Sequence, residues 1–366
     1  MRDILPALSR WYAAGAPFGL ATVVGTSRSA PRDPGAAMAV GPEDEVVGSV
    51  SGGCVEGAVF ELAQEVMTSG EARLTTFGYS DDDAFAVGLT CGGEITVLVR
   101  PVTRDTDPGF AEVAGSVAAG RPVTVATVTD GPARPGATLA VWPDKVSGTL
   151  GNEGLDAAVT ADARGELALG ATGLRHYGAR GERREDAVTV FLHSFAPPPR
   201  MLVFGAIDYA AAVARIGDFL GYRVTVCDAR PVFATPKRFP GAVEVVVDWP
   251  HRYLGGTETD ERTVICVLTH DPKFDVPLLE VALRRKAAYI GAMGSRRTHD
   301  DRMKRLVEAG LTPQELARLR SPVGLDLGAR TPEEVAVSVA AEIVALRWRG
   351  SGAPLTATAG AIHPAG

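Results

Sequence analysis

The sequence predicts an α/β protein with two kinds of domain. An N-terminal α/β domain is built from a duplicated unit, and a C-terminal domain is a Rossmann-like, doubly wound parallel sheet. Three observations support this: an internal repeat, strands that alternate with helices in the second half, and a length of 366 residues, which suits two to three domains. We place the first unit, which carries two Cys-Gly loops, at 1–104, its degenerate copy at 105–196, the Rossmann-like domain at 200–348 and a flexible tail at 349–366.

Composition and charge argue against several classes of protein. The net charge is −7, so the chain lacks the basic balance of a protein with a broad nucleic-acid footprint. Four cysteines are too few for a disulfide scaffold, and the sequence has no CxxC pair to indicate a zinc knuckle. The first residues lack a basic stretch followed by an apolar one, and no apolar run reaches about 18 residues, so we expect neither a secretory signal nor a membrane span. We therefore expect a reduced, cytoplasmic protein.

The first unit contains several strands and one prominent helix. Apolar residues at helical spacing predict the helix over 55–68, with Gly70 at its C′ position. Strands are expected where small and β-branched residues cluster, at 19–25, 37–40, 46–50, 74–77 and 95–99. This pattern predicts a sheet that carries a helix on one face.

Four sequence anchors of the first unit recur in the same order in the second. The matches are Ala21-Thr22-Val23 with 126–128, Pro34-Gly35-Ala36 with 135–137, Ala39-Val40 with 140–141 and Gly48 with 148. The alternative explanation is chance similarity in a chain rich in glycine, alanine and valine. The alignment places Gly154 opposite Cys54 and Arg184 opposite Cys91. Since a packing requirement would recur in both copies, cysteines found in one copy indicate chemistry that is needed once.

The third block follows a stiff Pro197-Pro198-Pro199 linker and alternates strands with helices. Apolar runs predict strands at 201–204, 223–227, 263–268 and 287–290 and helices at 209–220 and 335–347. Such alternation is typical of a doubly wound parallel sheet.

Two loops of the first unit join a cysteine to paired glycines. One reads Gly52-Gly53-Cys54-Val55-Glu56, and the other contains Cys91-Gly92-Gly93. Glycine pairs let backbone amides approach a ligand, and a cysteine at a helix N-terminus favours the thiolate, which binds metals. The alternative is a pair of small buried cysteines. We predict a shared pocket formed by Gly52, Gly53, Cys54, Glu56, Cys91, Gly92 and Gly93.

The first βα turn of the third block departs from the dinucleotide-binding fingerprint. Gly205 and Ala210 fit the first and third positions of G-x-G-x-x-G/A, but Ile207 stands at the second. A β-branched side chain there would crowd a pyrophosphate, which argues against NAD(P). Asp228, 23 residues beyond Gly205, has the spacing of an acid that binds a ribose hydroxyl.

Two further stretches of the third block have features of a ligand site. Gly294-Ser295-Arg296-Arg297 follows a predicted strand and opens a helix, where backbone amides and guanidinium groups favour an anion. His270 follows another strand at the edge where open α/β sheets bind ligands. The alternatives are surface arginines and a packing histidine. We take these residues, with Gly205 and Asp228, as candidate cofactor-binding residues, and we assign no catalytic residue.

Together these segments resemble the XdhC/CoxI family, the accessory or maturation factors of xanthine and carbon monoxide dehydrogenases. The resemblance rests chiefly on SVSGGCVEGAV at 49–59, GLTCGGEI at 88–95 and YIGAMGSRRTH at 289–299. It covers about 1–104 and 200–348, and the middle block matches the family less distinctly.

The resemblance implies a factor that binds molybdenum cofactor, supports its sulfuration and inserts it into an apo-molybdoenzyme of the xanthine dehydrogenase type. It implies Cys54 as the first candidate for contact with the cofactor and its molybdenum, and Cys91 as the second. The phosphate of the cofactor would then lie at Arg296 and Arg297. A cysteine desulfurase is a further candidate partner, and a homodimer is the commonest oligomer of soluble proteins.

Two other functions remain as hypotheses. One is an NAD(P)-dependent oxidoreductase that uses Asp228 and His270 of the Rossmann-like domain. The family usually shows a second glycine and then a histidine where this chain has Ile207 and Asp208, which argues against nicotinamide binding. The other is a protein-interaction factor that holds no ligand.

Overall fold

A computed structural model describes the chain at residues 1–27, 32–78, 93–269 and 271–359. The described residues divide into two compact units, and the division falls between Pro197 and Pro198. Each unit has its own sheets and its own hydrophobic core clusters. No helix in these ranges is both long enough and apolar enough to cross a membrane.

The first unit contains two antiparallel sheets of five strands each. The strands of the first sheet are β1 (Phe18–Ser27), β2 (Ala37–Val40), β3 (Val46–Gly48), β4 (Arg73–Phe77) and β5 (Glu94–Val102). Those of the second sheet are β6 (Val123–Asp130), β7 (Thr138–Val141), β8 (Val146–Gly148), β9 (Gly173–Tyr177) and β10 (Val188–Phe195). Their orders, β3-β2-β1-β5-β4 and β8-β7-β6-β10-β9, are the same when the strands of each sheet are numbered from its first.

A helix covers one face of each of these sheets. The helices of the unit are α1 (Leu5–Ala13), α2 (Glu56–Ser69), α3 (Phe110–Ala118) and α4 (Glu153–Leu169). Val59 of α2 is buried against the first sheet, and Val159 of α4 is buried against the second. The opposite faces of the two sheets pack on each other through Val24, Leu98 and Phe191, and α1 and α3 pack beside this contact against residues of both sheets. The first unit is therefore layered as helix, sheet, sheet and helix.

Local backbone features recur at matching positions of the two sheets. Gly48 and Gly148 have φ of +80° and +94°, and a Cβ atom at either would lie under 2.5 Å from a carbonyl oxygen of the next strand. Glycine is therefore required at both. The pairing of the central strands shifts register around Val24 in the first sheet and around Thr129 in the second. Shared strand order, glycines and bulges are what a duplicated unit would produce, and the boundaries at 104 and 196 stay predictions.

The second unit is a parallel sheet of six strands. These are β11 (Arg200–Phe204), β12 (Arg223–Asp228), β13 (Glu244–Val247), β14 (Val264–Val267), β15 (Tyr289–Ala292) and β16 (Leu319–Arg320). The helices are α5 (Asp208–Phe219), α6 (Pro250–Gly256), α7 (Pro272–Ala282), α8 (Arg296–Glu308), α9 (Pro313–Leu316) and α10 (Pro332–Trp348). The order β13-β12-β11-β14-β15-β16 is the 3-2-1-4-5-6 order of a Rossmann fold, which confirms the predicted fold class.

Alternate residues of the central strand β11 face opposite layers of helices. Met201 and Val203 lie in a core cluster with α5 and α10, whereas Leu202 and Phe204 lie in a second cluster with α7 and α8. This alternation buries both faces of the sheet, as a doubly wound fold requires.

The predicted elements are present, and β15 is shifted along the chain by two residues from its expected bounds. The sequence predicted a strand over 287–290 that ends before Gly291. The observed strand extends through Gly291 to Ala292, because Val267 at the end of β14 pairs with Ala292 and fixes the register. The following loop therefore begins at Met293. The small residues around the strand gave no signal for its end.

Candidate functional site

The Cys54 loop, residues 49–55, connects β3 to α2. Its anchors are buried, since Val50 and Val55 are fully inaccessible to solvent, whereas Gly52 and Gly53 are exposed. The two glycines have φ of +84° and +123°, a backbone conformation that other residues rarely adopt. The loop thus presents an exposed Gly-Gly turn and then Cys54 between two fixed ends.

The carboxylate of Glu56 holds this loop from within. It accepts hydrogen bonds from the Ser49 and Ser51 hydroxyls and from the backbone amides of Ser51, Gly52 and Gly53, at 2.9, 3.0 and 2.8 Å for the amides. Burial raises the pKa of Glu56, but the hydrogen bonds from Ser49 and Ser51 outweigh it and lower the pKa to about 2. Glu56 is therefore ionised at neutral pH. The loop amides that were expected to approach a ligand are turned toward this carboxylate.

Cys54 lies two residues before the first helical residue of α2, as the sequence predicted. Its side chain is half-buried and packs against the core cluster between α2 and the first sheet. Its backbone amide donates to the Ser51 hydroxyl at 3.0 Å. One side of the sulfur is thus supported by the core, which limits the directions from which a ligand can approach it.

The equivalent loop of the second sheet keeps the carboxylate but not the cysteine. Asp156, opposite Glu56, accepts from the Thr149 hydroxyl and from the Leu150 amide, both at 2.7 Å. Thr149 in turn stands opposite Ser49 in the repeat. Gly154 occupies the position of Cys54. The recurring acid is thus a feature of the scaffold, and the thiol is confined to the first copy.

Three predicted site residues, Cys91, Gly92 and His270, lie outside the described residues. Gly93, the last glycine of the second Cys-Gly loop, is described and is buried just before β5. Their contribution to the shared pocket stays a prediction.

In the second unit, Gly205 is required by packing between chain segments. Its φ is +106°, and a Cβ atom there would lie 2.9 Å from the Thr269 side chain and 3.0 Å from the Thr269 amide. Ile207 caps α5 without a side-chain hydrogen bond and packs against the core. Asp208 is exposed and pairs with Arg238 at 3.3 Å. These contacts explain the unusual turn without invoking a pyrophosphate.

Asp228, the residue with ribose-binding spacing, has both oxygens engaged. One oxygen accepts from the Ala206 amide at 2.7 Å, and the Arg230 side chain donates to both oxygens at 2.8 and 2.9 Å. Only 3% of Asp228 is exposed. Burial opposes ionisation, but the hydrogen bonds from Arg230 and Ala206 prevail and lower its pKa. This arrangement leaves little of the carboxylate for a ribose hydroxyl.

Arg296 and Arg297 occupy the exposed first turn of α8. Ser295 caps the helix by accepting from the Thr298 amide at 3.1 Å. Among the described residues neither arginine has an acidic partner. Arg297 also lines a cavity of about 180 Å³ beside α7, together with Arg302. The two guanidinium groups are thus available to an anion at a helix N-terminus.

A buried polar network lies behind this turn and was missed by sequence reasoning. Arg302 is 4% exposed and donates to the Asp275 carboxylate at 2.9 Å and to the Met293 carbonyl at 2.8 Å. Thr269 donates a further hydrogen bond to Asp275. The network ties the ends of β14 and β15 to α7 and α8. Nothing in the α8 sequence distinguishes Arg302 from its exposed basic neighbours.

Within the described ranges, no group of three or more His, Cys, Asp or Glu side chains is arranged to hold a metal ion.

Comparison with sequence families gives two matches. Residues 11–78 and 116–178 match a family described as XdhC and CoxI, and residues 201–343 match one described as the XdhC Rossmann domain. The matches of the first family fall in both sheets of the first unit.

Two named proteins are similar over most of the chain. A probable xanthine dehydrogenase subunit of Bacillus subtilis (strain 168) is 28% identical over 336 residues, which are 90% of this chain and 93% of that protein. The molybdenum cofactor insertion chaperone PaoD of Escherichia coli (strain K12) is 28% identical over 328 residues, 90% of this chain and 83% of that protein.

A solved structure of a xanthine dehydrogenase from Bacillus halodurans is similar in fold. Its TM-score is 0.64 at 24% identity, over 94% of this chain and 95% of that chain. At this level of identity the similarity supports the fold.

Proposed function

Because the chain belongs to the XdhC/CoxI family, we propose that it is an accessory factor that binds molybdenum cofactor and inserts it into an apo-molybdoenzyme of the xanthine dehydrogenase type. A relative that aligns with 90% of the chain is named a molybdenum cofactor insertion chaperone, and another is named as part of a probable xanthine dehydrogenase. The cofactor is cargo in this proposal, so the chain needs to hold it and release it.

The observation that carries the proposal is the Cys54 loop. A thiolate is a soft ligand that suits a metal centre rich in sulfur. Cys54 is held on a loop that Glu56 fixes from within, and the equivalent loop of the second sheet has an aspartate, Asp156, at the position of Glu56 but no thiol. The second copy lacks both the thiol and the Gly-Gly turn that presents it, which favours a binding role for Cys54.

A separate anion site is proposed at the start of α8, and its chemistry suits the phosphate of the cofactor. Arg296 and Arg297 are exposed, lack acidic partners among the described residues and stand at the N-terminus of α8. Guanidinium groups and a helix N-terminus both favour phosphate. Gly294, with φ of +149°, shapes the turn that leads into this helix.

We also propose that the cofactor is sulfurated while it is held, with a cysteine desulfurase as the sulfur donor. This finer step rests on the family resemblance. The test is transfer of ³⁵S from a loaded desulfurase to cofactor bound by the chain, with free cofactor as the control. Equal labelling of free and bound cofactor would argue against a role of the chain in this step.

An NAD(P)-dependent oxidoreductase is the less favoured function. Ile207 takes the place of the fingerprint glycine, and Asp228 is engaged by Arg230. We therefore expect NADH fluorescence to show no saturable binding in the micromolar range. Saturable binding there would revive the oxidoreductase.

The test of the main proposal is an anaerobic titration of the purified chain with molybdenum cofactor. We expect stoichiometric binding by the wild type and its loss in Cys54→Ala. Cys227→Ala is the matched control, because Cys227 is a buried thiol of the second unit whose pKa burial raises to about 12. Binding by Cys54→Ala that equals the wild type would contradict the proposal.

A further inference from the structure

The first unit contains a cavity of about 250 Å³ that the proposed function does not use. It lies between the two sheets, on the faces that α2 and α4 leave uncovered. Side chains from β1, β5, β6 and β10 line it, and several come from matching positions of the two copies: Thr22 and Thr127, Leu98 and Phe191, Arg100 and His193. The cavity is thus built by the pairing of the two sheets.

Two polar side chains in this cavity have unused hydrogen-bonding capacity. Thr127 is 7% exposed, and its hydroxyl has no hydrogen-bond partner among the described residues. The ring of His193 stacks on Phe195, with 4.2 Å between the centroids, and its nitrogens likewise have no partner in the described part of the chain. Both side chains line the cavity, so their donors and acceptors are open to a ligand or to water.

The protonation state of His193 determines which hydrogen bonds its ring can make with a ligand. Burial lowers its pKa to about 3, and the nearby amino group of Met1 and the Arg2 guanidinium contribute to that lowering. The imidazole is therefore neutral at physiological pH and presents one donor and one acceptor. The Met1 amino group pairs with Asp3 at 3.1 Å, which offsets its charge.

A buried ion pair supplies further donors. Arg100 Nη1 lies 2.8 Å from Asp107 Oδ2, and the two side chains are 8% and 10% exposed. A guanidinium carries five N–H donors, and the contact with Asp107 occupies one nitrogen. The pair itself has no net charge, but Arg134 also lines the cavity and has no acidic partner among the described residues. The guanidinium groups of the cavity therefore suit a polar ligand that carries hydrogen-bond acceptors.

We propose that this cavity binds a planar nitrogen heterocycle of one or two rings. Phe110, Phe191 and Phe195 line the cavity and suit a flat ring. Ring nitrogens and carbonyl oxygens would accept from Arg100, and amino or ring N–H groups would donate to His193. The cavity volume of about 250 Å³ is smaller than the roughly 300–1,000 Å³ of pockets that hold larger ligands. The occupant is therefore limited to one ring or to two fused rings.

This site is separate from the Cys54 loop. Cys54 packs on the face of the first sheet that α2 covers, and the cavity lies on the other face. The heterocycle has two sources to consider: a free compound such as pterin or a purine base, or the pterin part of the proposed cargo. The experiment below separates them.

The first measurement is calorimetric titration of the full chain with free pterin and with adenine. We expect saturable binding of at least one by the wild type and an about tenfold weaker affinity in Thr127→Val, which removes one hydrogen bond but keeps the side-chain shape. Thr225→Val, a buried threonine of the second unit, is the matched control and should bind as the wild type does. No binding by the wild type up to millimolar concentrations would overturn the proposal, as would equal losses in both variants.

A second variant tests whether binding can be lost without a change in folding. Ala140 is 6% exposed and lines the cavity, so Ala140→Leu should fill it, abolish binding and leave the thermal unfolding temperature at or above the wild-type value. Unchanged binding by this variant would place the ligand elsewhere.

Two further measurements distinguish this proposal from the proposed function and identify where the bound heterocycle comes from. Cys54→Ala should bind pterin or adenine as the wild type does, and a loss there would move the site to the Cys54 loop and overturn the inference. Competition with molybdenum cofactor identifies the source. Displacement of the bound heterocycle would assign the cavity to the pterin part of the cargo, and simultaneous binding would assign it to a separate small molecule.

Discussion

The carboxylate of Glu56 accepts a hydrogen bond at 2.8 Å from the amide of Gly53, the residue that precedes Cys54. The same carboxylate accepts from the side chains of Ser49 and Ser51, so one acid fixes both ends of the turn. The direction in which Cys54 is presented thus depends on a residue that need not contact a ligand. A substitution of Glu56 can therefore change the orientation of the Cys54 thiol without removing the thiol.

Glu56→Gln should destabilise the first unit and weaken cofactor binding. An amide side chain keeps one acceptor oxygen but lacks the charge, and hydrogen bonds to a charged group contribute about 1.5–3 kcal/mol. We expect a loss of this order in the free energy of unfolding, measured with urea, and a several-fold weaker affinity in the anaerobic titration.

Asp156→Asn is the matched control for that substitution. Asp156 makes the equivalent hydrogen bonds in the second sheet, with Thr149 and Leu150, so it should lose comparable stability without changing cofactor affinity. Equal effects of the two variants on affinity would show that the loop acts only through the stability of the unit.

The stability provided by Glu56 should depend on pH with a defined sign. Its folded-state pKa is lowered from an ordinary 4.5 to about 2, so the unfolded chain takes up the proton first as the pH falls. The contribution is fully present above about pH 4.5 and is lost as the pH falls toward 2. The difference in urea midpoint between wild type and Glu56→Gln should therefore be constant from pH 7 to 5 and shrink below it. A difference that grows on acidification would contradict the assignment.

Much of this fold could be predicted because its signals are local. The strand runs of the first unit, the helix after Cys54 and its end at Gly70, where φ is +74°, each follow from a few adjacent residues. The end of β15 could not be predicted, because pairing between Val267 and Ala292 fixes it and that pairing is distant in sequence.

The role of Glu56 is a case where a usable signal was present. Ser49 and Glu56 are seven residues apart, and Thr149 and Asp156 repeat this spacing in the second copy. A hydroxyl and an acid that recur together indicate a structural pair, whereas the glycines alone suggested amides free for a ligand. Arg302 gave no such signal, because only the packing of α8 distinguishes it from its exposed neighbours.

Gly53→Ala should be destabilising although space is available for the added methyl group. No atom lies within 4 Å of the position its Cβ would occupy, so the cost arises from the φ of +123° alone. Strain of this kind costs about 1–3 kcal/mol. Gly57→Ala has the same free space but lies inside α2 without a positive φ, and it should stabilise by up to about 1 kcal/mol. The thermal unfolding temperatures of Gly53→Ala and Gly57→Ala test this contrast. Changes of the same sign in the two variants would contradict the loop geometry.

Arg302→Ala should be strongly destabilising. It would leave Asp275, which is 3% exposed, as a buried carboxylate without its guanidinium partner. Breaking one side of such a pair costs about 3–5 kcal/mol. Arg305→Ala removes an exposed arginine three residues further along α8 and should change stability by less than about 0.5 kcal/mol. Urea unfolding measures both, and similar small losses would contradict the buried network.

Removing Arg296 and Arg297 should affect stability and cofactor binding in opposite directions. Both arginines stand in the first turn of α8, where the helix dipole disfavours positive charge, and neither has an acidic partner among the described residues. The double substitution to alanine should therefore leave the free energy of unfolding unchanged or raise it by about 0.3–1 kcal/mol per residue. If the pair binds the phosphate of the cofactor, the same variant should bind cofactor at least tenfold more weakly, and its affinity should depend less on salt than that of the wild type. Arg305→Ala serves as a control for a general loss of positive charge on α8. Unchanged affinity in the double variant would remove the phosphate from this turn, while the role of Cys54 would still be decided by its own titration.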